Sequence, residues 1–236
     1  MLTPVLLLHA YATGVFPMAE ARDGVAIHWV DPTRRTVFPI TGLAGSGFHV
    51  ARSLARQIRR TSPRVTVDRD FAGVVAACAD RPETWINAEI FTVYTELHRL
   101  GHAHSVEVWQ DDALIGGVYG VAVGAAFFGE SMFSRATNGS KTALTYLVHR
   151  LRAGGFTLFD VQFMTDHLKS LGAVELPRAE YRRRLATAIA AKASFTPPGY
   201  PPEPDAGFVL AAGGGTDAGA GGGAAPGTSQ CSTQTS

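Results

Sequence analysis

Lysine is scarce in this chain: only Lys141, Lys169 and Lys192 stand among its 21 basic residues, so nearly all positive charge is arginine. Twenty acidic residues balance them to a formal net charge of +1, which excludes a uniformly basic nucleic-acid binder and makes any basic footprint a local one. There are two cysteines, Cys78 and Cys231, one in the body and one near the end. They provide neither a disulfide framework nor a thiolate cluster, as expected of a reducing compartment. No apolar run approaches the ~20 residues that span a bilayer. The opening MLTPVLLLHAYATG lacks the basic flank of a signal peptide, so a soluble, cytoplasmic protein without a membrane partner is expected. His102 and His104 flank Ala103 in a strand, but no third ligand stands at a useful spacing, and no metal or cofactor is expected. The glycine-rich Gly42-Leu43-Ala44-Gly45-Ser46-Gly47 lacks the G-x-G-x-x-G order and reads as a linker. Gly129 to Arg135 is not G-x-S-x-G, which removes a hydrolase elbow.

A composition of 46% hydrophobic and 17% charged residues fits an ordinary globular protein with one large domain or two small ones. Thr3 and Pro4 open a short helix through Tyr11 that stops near Gly14. Val25 to Val30 reads as a strand, and Val50 to Arg60 as a helix ended by Ser62-Pro63. Asn87 caps a helix whose apolar face carries Ile90, Val93, Tyr94, Leu97 and Leu100. Strands follow over Ser105–Trp109, Leu114–Val121 and Ala122–Phe128. Ser140 opens a helix with the stripe Ala143, Leu144, Leu147, Val148 and Leu151. Thr157–Met164 is a strand and Arg178–Ala191 a last helix. From Ala193 the chain turns to prolines, then to glycine, alanine, threonine and serine, and reads as a disordered tail over 193–236 that truncation should spare. Its Phe208, Val209 and Leu210 are able to touch the body. The pattern gives an α+β domain with a mixed, largely antiparallel sheet.

Three segments carry chemistry. Arg52, Arg56, Arg59 and Arg60 share one side of their helix while Val50, Leu54 and Ile58 share the other. No acidic residues interleave with the arginines, so either a solvated face or a phosphate backbone answers their repulsion. In the strand Leu158-Phe159-Asp160-Val161-Gln162-Phe163-Met164, Asp160 and Gln162 fall on one side at period two. A carboxylate in a strand covered on both faces is costly unless paired or used, so the two make either a structural group or a base and amine-binding pair. Neutralising Asp160 with asparagine is expected to keep the fold and lower activity. Glu130 lies just beyond the apolar strand that ends at Phe128. Cys78, in FAGVVAAC, reads as a buried thiol.

Several blocks together resemble the leucyl/phenylalanyl-tRNA–protein transferase family. They are AYATGVFPM (Ala10–Met18), FHVARSLAR (Phe48–Arg56), TWINAEI (Thr84–Ile90), GHAHSVEVW (Gly101–Trp109), LIGGVYGVAVG (Leu114–Gly124), FFGESMFSR (Phe127–Arg135), SKTAL (Ser140–Leu144) and DVQFMTDHLKSLGAVELPR (Asp160–Arg178). They cover nearly the whole body, in family order. The resemblance implies a small N-terminal domain over 1–33, a GNAT-like acyltransferase domain over 34–192, and the tail as an addition. It implies an enzyme that moves Leu, Phe or Met from aminoacyl-tRNA to proteins beginning with Arg or Lys, marking them for N-degron-dependent degradation; a monomer is expected, although the sequence itself does not give the oligomeric state. By the same resemblance Glu130, Asp160 and Gln162 are catalytic. The aminoacyl side chain enters a pocket of Phe127, Met132, Leu144, Leu147 and Phe159. Tyr11, Met18, Trp85, Tyr94 and Thr165 line the cleft for the 3′-adenosine, and Arg52, Arg56, Arg59 and Arg60 meet tRNA phosphates. Met18 stands where many relatives have tryptophan, and Thr165 where some have asparagine. Two rivals remain. A GNAT-type acyl-CoA N-acyltransferase needs R-x-x-G-x-G/A, where Arg135-Ala136-Thr137-Asn138-Gly139-Ser140 has the wrong spacing. A non-catalytic tRNA-binding protein would need only the arginine helix.

Overall fold

The computed structural model describes residues 2–24, 26–40 and 47–211. The linker expected at Gly42–Gly47 lies, apart from Gly47, outside them, as does Val25. Helix α1 (Pro4–Thr13) starts where the Thr3 side chain accepts from Leu6 N and ends at Gly14 in the left-handed region, φ 89°. A two-stranded antiparallel ribbon follows, β1 (Phe16–Ala19) against β2 (Ile27–Val30). The chain then runs through β3 (Arg34–Phe38), α2 (Arg52–Thr61), β4 (Arg64–Val67), α3 (Phe71–Ala79), α4 (Ala88–Arg99), β5 (Ala103–Gln110), β6 (Ala113–Val123), β7 (Ala126–Ser134) and α5 (Gly139–Ala153). It closes with β8 (Leu158–Gln162), α6 (Asp166–Ser170), β9 (Val174–Pro177), α7 (Arg178–Ala190) and α8 (Ala206–Ala211).

Seven strands form one sheet in the order β4-β5-β6-β7-β8-β3-β9. Every neighbouring pair is antiparallel except β7 and β8, which are joined through α5 and run parallel. The sheet has a core on each face. One gathers Leu7 and Tyr11 of α1, Val74 of α3, Tyr94 of α4 and Leu185 of α7. The other gathers Leu54 and Ile58 of α2, Leu144 and Leu147 of α5, and Val209 of α8. The α+β class with a mixed, mainly antiparallel sheet is as the sequence suggests.

Most element ends shift by one or two residues from the sequence reading, as where α2 begins at Arg52 instead of Val50 and β8 ends at Gln162 instead of Met164; three further differences have larger consequences. The turn after β6 falls at Gly124, whose φ is 59° and where a Cβ would lie 2.5 Å from the Ile189 carbonyl oxygen. Ala122 and Val123 therefore finish β6, and β7 continues through Gly129–Ser134, so Glu130 sits inside a strand. Leu100 caps α4 and is exposed instead of joining its apolar face. The expected disordered tail is corrected for residues 193–211, which pack on the body. Phe195 is 4% exposed and its carbonyl accepts from Arg150 Nη1 at 3.0 Å. The Tyr200 hydroxyl bonds His149 at 2.7 Å, and Val209 and Leu210 are buried beside α2. Each such apolar side chain gains about 1.5–3 kcal/mol on burial, and the neighbouring prolines lower the entropy lost on ordering. Residues 212–236 lie outside the described part.

Candidate active site

The parallel register of β7 and β8 ends at Phe128 opposite Asp160, although β7 continues to Ser134 and β8 to Gln162. Past that pair each strand bulges. Gly120 of β6 faces Gly129 and Tyr119 faces Ser131, leaving Glu130 as the extra residue. Val37 of β3 faces Asp160 and Thr36 faces Gln162, leaving Val161 extra and Gln162 at φ 58°. A bulge bends its strand and re-aims the side chain beside it. Here the two bulges turn Glu130 and Gln162 toward each other, with Gln162 Nε2 donating to Glu130 Oε1 at 3.5 Å.

Two helices from the first core complete this polar group. The Tyr94 hydroxyl of α4 donates to Glu130 Oε2 at 2.9 Å and is itself hydrogen-bonded to the Tyr11 hydroxyl of α1. Burial pushes the Glu130 carboxyl up to about 7; the charge of Asp160 adds to the rise, and the tyrosine hydrogen bonds and Arg35 oppose it. Burial also holds Tyr11 and Tyr94 well above the usual phenol range, so both stay neutral.

Asp160 is fully enclosed. Its two oxygens take Arg35 Nε at 3.0 and 2.9 Å, Oδ2 takes the Tyr181 hydroxyl at 2.7 Å, and Oδ1 takes the backbone N–H of Gln162 at 2.9 Å. Arg35 lies between the rings of Phe16 and Tyr181, 4.5 and 4.7 Å from their centroids, and donates Nη1 to the Gly14 carbonyl at 3.0 Å. The period-two reading of Asp160 with Gln162 is thus interrupted by the bulge at Val161. Asp160 touches Gln162 through its backbone and turns inward to Arg35. Neither Arg35 nor Tyr181 was singled out in the sequence. The second of two arginines at the start of a five-residue strand resembles surface charge; only its pairing with an otherwise unexplained buried acid distinguishes it.

The other expected residues fall into separate groups. Phe127, Leu144, Leu147 and Phe159 are buried in the second core, and Met132 packs half-buried against them. Met18 and Trp85 pack half-buried on the first core, which also holds Tyr11 and Tyr94. Thr165 is exposed and caps α6, accepting from Leu168 N at 3.2 Å. Arg52, Arg56, Arg59 and Arg60 are exposed on α2, and among the described residues none has an acidic partner. His104 is tied to Asp68 at 2.7 Å, and among the described residues no three side chains are grouped to hold a metal. Cys78 is buried, its thiol pushed up to about 12 by burial, which keeps it unreactive.

A carboxyl group that ionises near neutral pH beside an amide suits an enzyme that transfers an activated group onto an amine. Residues 43–186 match the family profile described as leucyl/phenylalanyl-tRNA protein transferase, and residues 1–33 match the profile of its N-terminal domain. A leucyl/phenylalanyl-tRNA–protein transferase of Cereibacter sphaeroides is 66% identical over 203 residues, covering 86% of this chain and 92% of that one. The Ruegeria pomeroyi enzyme of the same name is 62% identical over 194 residues, covering 82% and 90%. That of a Jannaschia species is 58% identical over 195 residues, covering 83% and 90%. The chain belongs to the leucyl/phenylalanyl-tRNA–protein transferase family.

Proposed function

We propose that this chain transfers Leu, Phe or Met from aminoacyl-tRNA to the α-amine of proteins beginning with Arg or Lys, marking them for N-degron-dependent degradation. On this reading it acts in the cytoplasm as a monomer. The observation that carries the reading is the meeting of Glu130 and Gln162 where β7 and β8 part. The neutral α-amine attacks the ester carbonyl; a C–N bond forms, the C–O bond to the terminal ribose breaks, and the ribose oxygen leaves with a proton. Glu130, ionising near pH 7, takes the proton of the amine and hands it on to the departing ribose oxygen, matching the acidity a general base needs. Its charge also attracts the cationic acceptor. The Gln162 side-chain oxygen accepts an amine N–H, and Asp160 acts as a positioning residue by holding the Gln162 backbone. No cofactor enters, because the ester is already activated.

The aminoacyl side chain occupies the apolar region of Phe127, Met132, Leu144, Leu147 and Phe159. Tyr11, Met18, Trp85, Tyr94 and Thr165 border the terminal adenosine. The arginine face of α2 neutralises phosphates of the acceptor stem, which its lack of acidic partners among the described residues favours. A parallel β7–β8 pair that is joined through α5 and splays at the site, inside a mainly antiparallel sheet, supports a GNAT-like catalytic domain. Incubation with radiolabelled Phe-tRNA and an Arg-starting peptide should label the peptide. Absence of label, with a thermal shift on adding coenzyme A, would favour an acyl-CoA enzyme instead.

A further inference from the structure

Phe195 belongs to the stretch whose composition reads as tail, yet its ring lies flat between two others. On one side is His104, 4.2 Å away at 11°; on the other is Phe127, 5.5 Å away at 15°. Both the ring and its backbone are fixed. His104 is held by Asp68 at 2.7 Å, and Arg150 Nη1 grips the Phe195 carbonyl at 3.0 Å. Phe127 is bounded on its remaining sides by Phe156 and Phe159, edge to face at 6.0 and 5.7 Å. On the strand side, a Cβ at Gly120 would come within 2.6 Å of the Phe127 ring, so the ring presses on bare backbone there. Of these neighbours only Phe195 comes from outside the sheet and the α5–β8 connection.

We propose that Phe195 is a specificity-determining residue, a back wall from the C-terminal segment that fixes how deep Phe127 sits and so which aminoacyl side chain the enzyme prefers. The proposal rests on the reading of Phe127 as lining the aminoacyl pocket. Interiors are close-packed, so a ring can retreat only into space that a neighbour vacates. Shortening Phe195 opens such space behind Phe127 and deepens the pocket, which favours phenylalanine over the smaller leucine.

The test is the ratio of kcat/KM for Phe-tRNA to that for Leu-tRNA, measured on one preparation so that the folded fraction cancels. Phe195→Ala should raise this ratio roughly fivefold, within the range that methylene-scale changes in an apolar pocket produce. Phe195→Leu should raise it less, and serves should the alanine variant not fold. Tyr200→Phe removes the bond to His149 and loosens the same segment without touching Phe127, so the ratio should hold. Phe127→Leu tests the pocket itself. A ratio that moves with Phe127→Leu but stays fixed in both Phe195 variants would overturn the proposal alone. A ratio indifferent to Phe127→Leu as well would overturn the pocket reading with it.

Discussion

Replacing Glu130 by glutamine should stabilise the protein and disable it. The carboxyl rises from 4.5 to about 7 in the fold, mainly because burial disfavours its charge. At about 1.4 kcal/mol for each tenfold change in acidity, the ionised form costs at most about 3.5 kcal/mol. Glu130 is only half-buried, so solvent screening reduces this to about 1.5 kcal/mol. Between pH 4.5 and about 7 the folded chain keeps a proton that the unfolded chain has lost, so wild-type stability falls as pH rises through that window and levels off above it. Glutamine has no charge to bury and can still accept the Tyr94 hydrogen bond. Wild type and Glu130→Gln should therefore melt together at pH 4, while at pH 8 the variant should melt higher by roughly 3–6 °C. Transfer should fall about a hundredfold, the usual loss for a general base. The wild-type inflection in single-turnover rate near pH 7 should disappear, acceptor affinity should drop and tRNA binding should hold. Equal melting at pH 8 together with an unchanged rate profile would refute both the buried charge and its role.

Patterns set by local chemistry were legible in the sequence, whereas irregular ones were not. The caps at Thr3 and Asn87 and the arginine face of α2 follow from residue type and helical spacing, and each is found where expected. Glu130 and Gln162 were nameable, but their meeting depends on two bulges, and a bulge breaks the alternation by which a strand is read. The β8 bulge needs a non-glycine residue in the left-handed region at Gln162, where propensity predicts none. Strands β1, β3, β4 and β9, of four or five residues each, are too short for a period to be seen. The stretch 193–211 misled for a related reason. Its composition is that of a linker, yet a few apolar side chains spaced far apart suffice to bind it when the receiving surface is already built.

Replacing Arg52 and Arg56 by alanine should weaken tRNA binding and reduce the salt dependence of log affinity by about one for each phosphate no longer neutralised, leaving acceptor binding alone. A chain ended after Lys192 should lose at least about 3 kcal/mol, since Phe195, Val209 and Leu210 are no longer buried; an unaltered melting curve would mean that the segment contributes nothing. The expectation that Asp160→Asn leaves the fold intact is reversed by Arg35. The carboxylate is the acidic partner of an arginine that is 1% exposed, and it accepts from three different residues. An asparagine keeps one acceptor, but its amide group meets the Arg35 or Tyr181 donors head-on, and the guanidinium charge is left buried without a counter-charge. Removing one partner of such a pair costs about 3–5 kcal/mol, far more than relieving the carboxylate's own desolvation returns. Urea unfolding should register that loss in Asp160→Asn, and Arg35→Met combined with Asp160→Asn should recover part of it, because the stranded charge is then gone. At a temperature where Asp160→Asn is still folded, transfer should also fall, since the Gln162 backbone has lost the group that holds it in its left-handed turn. Wild-type stability in Asp160→Asn would mean that the Arg35–Asp160 pair does not carry this corner of the fold.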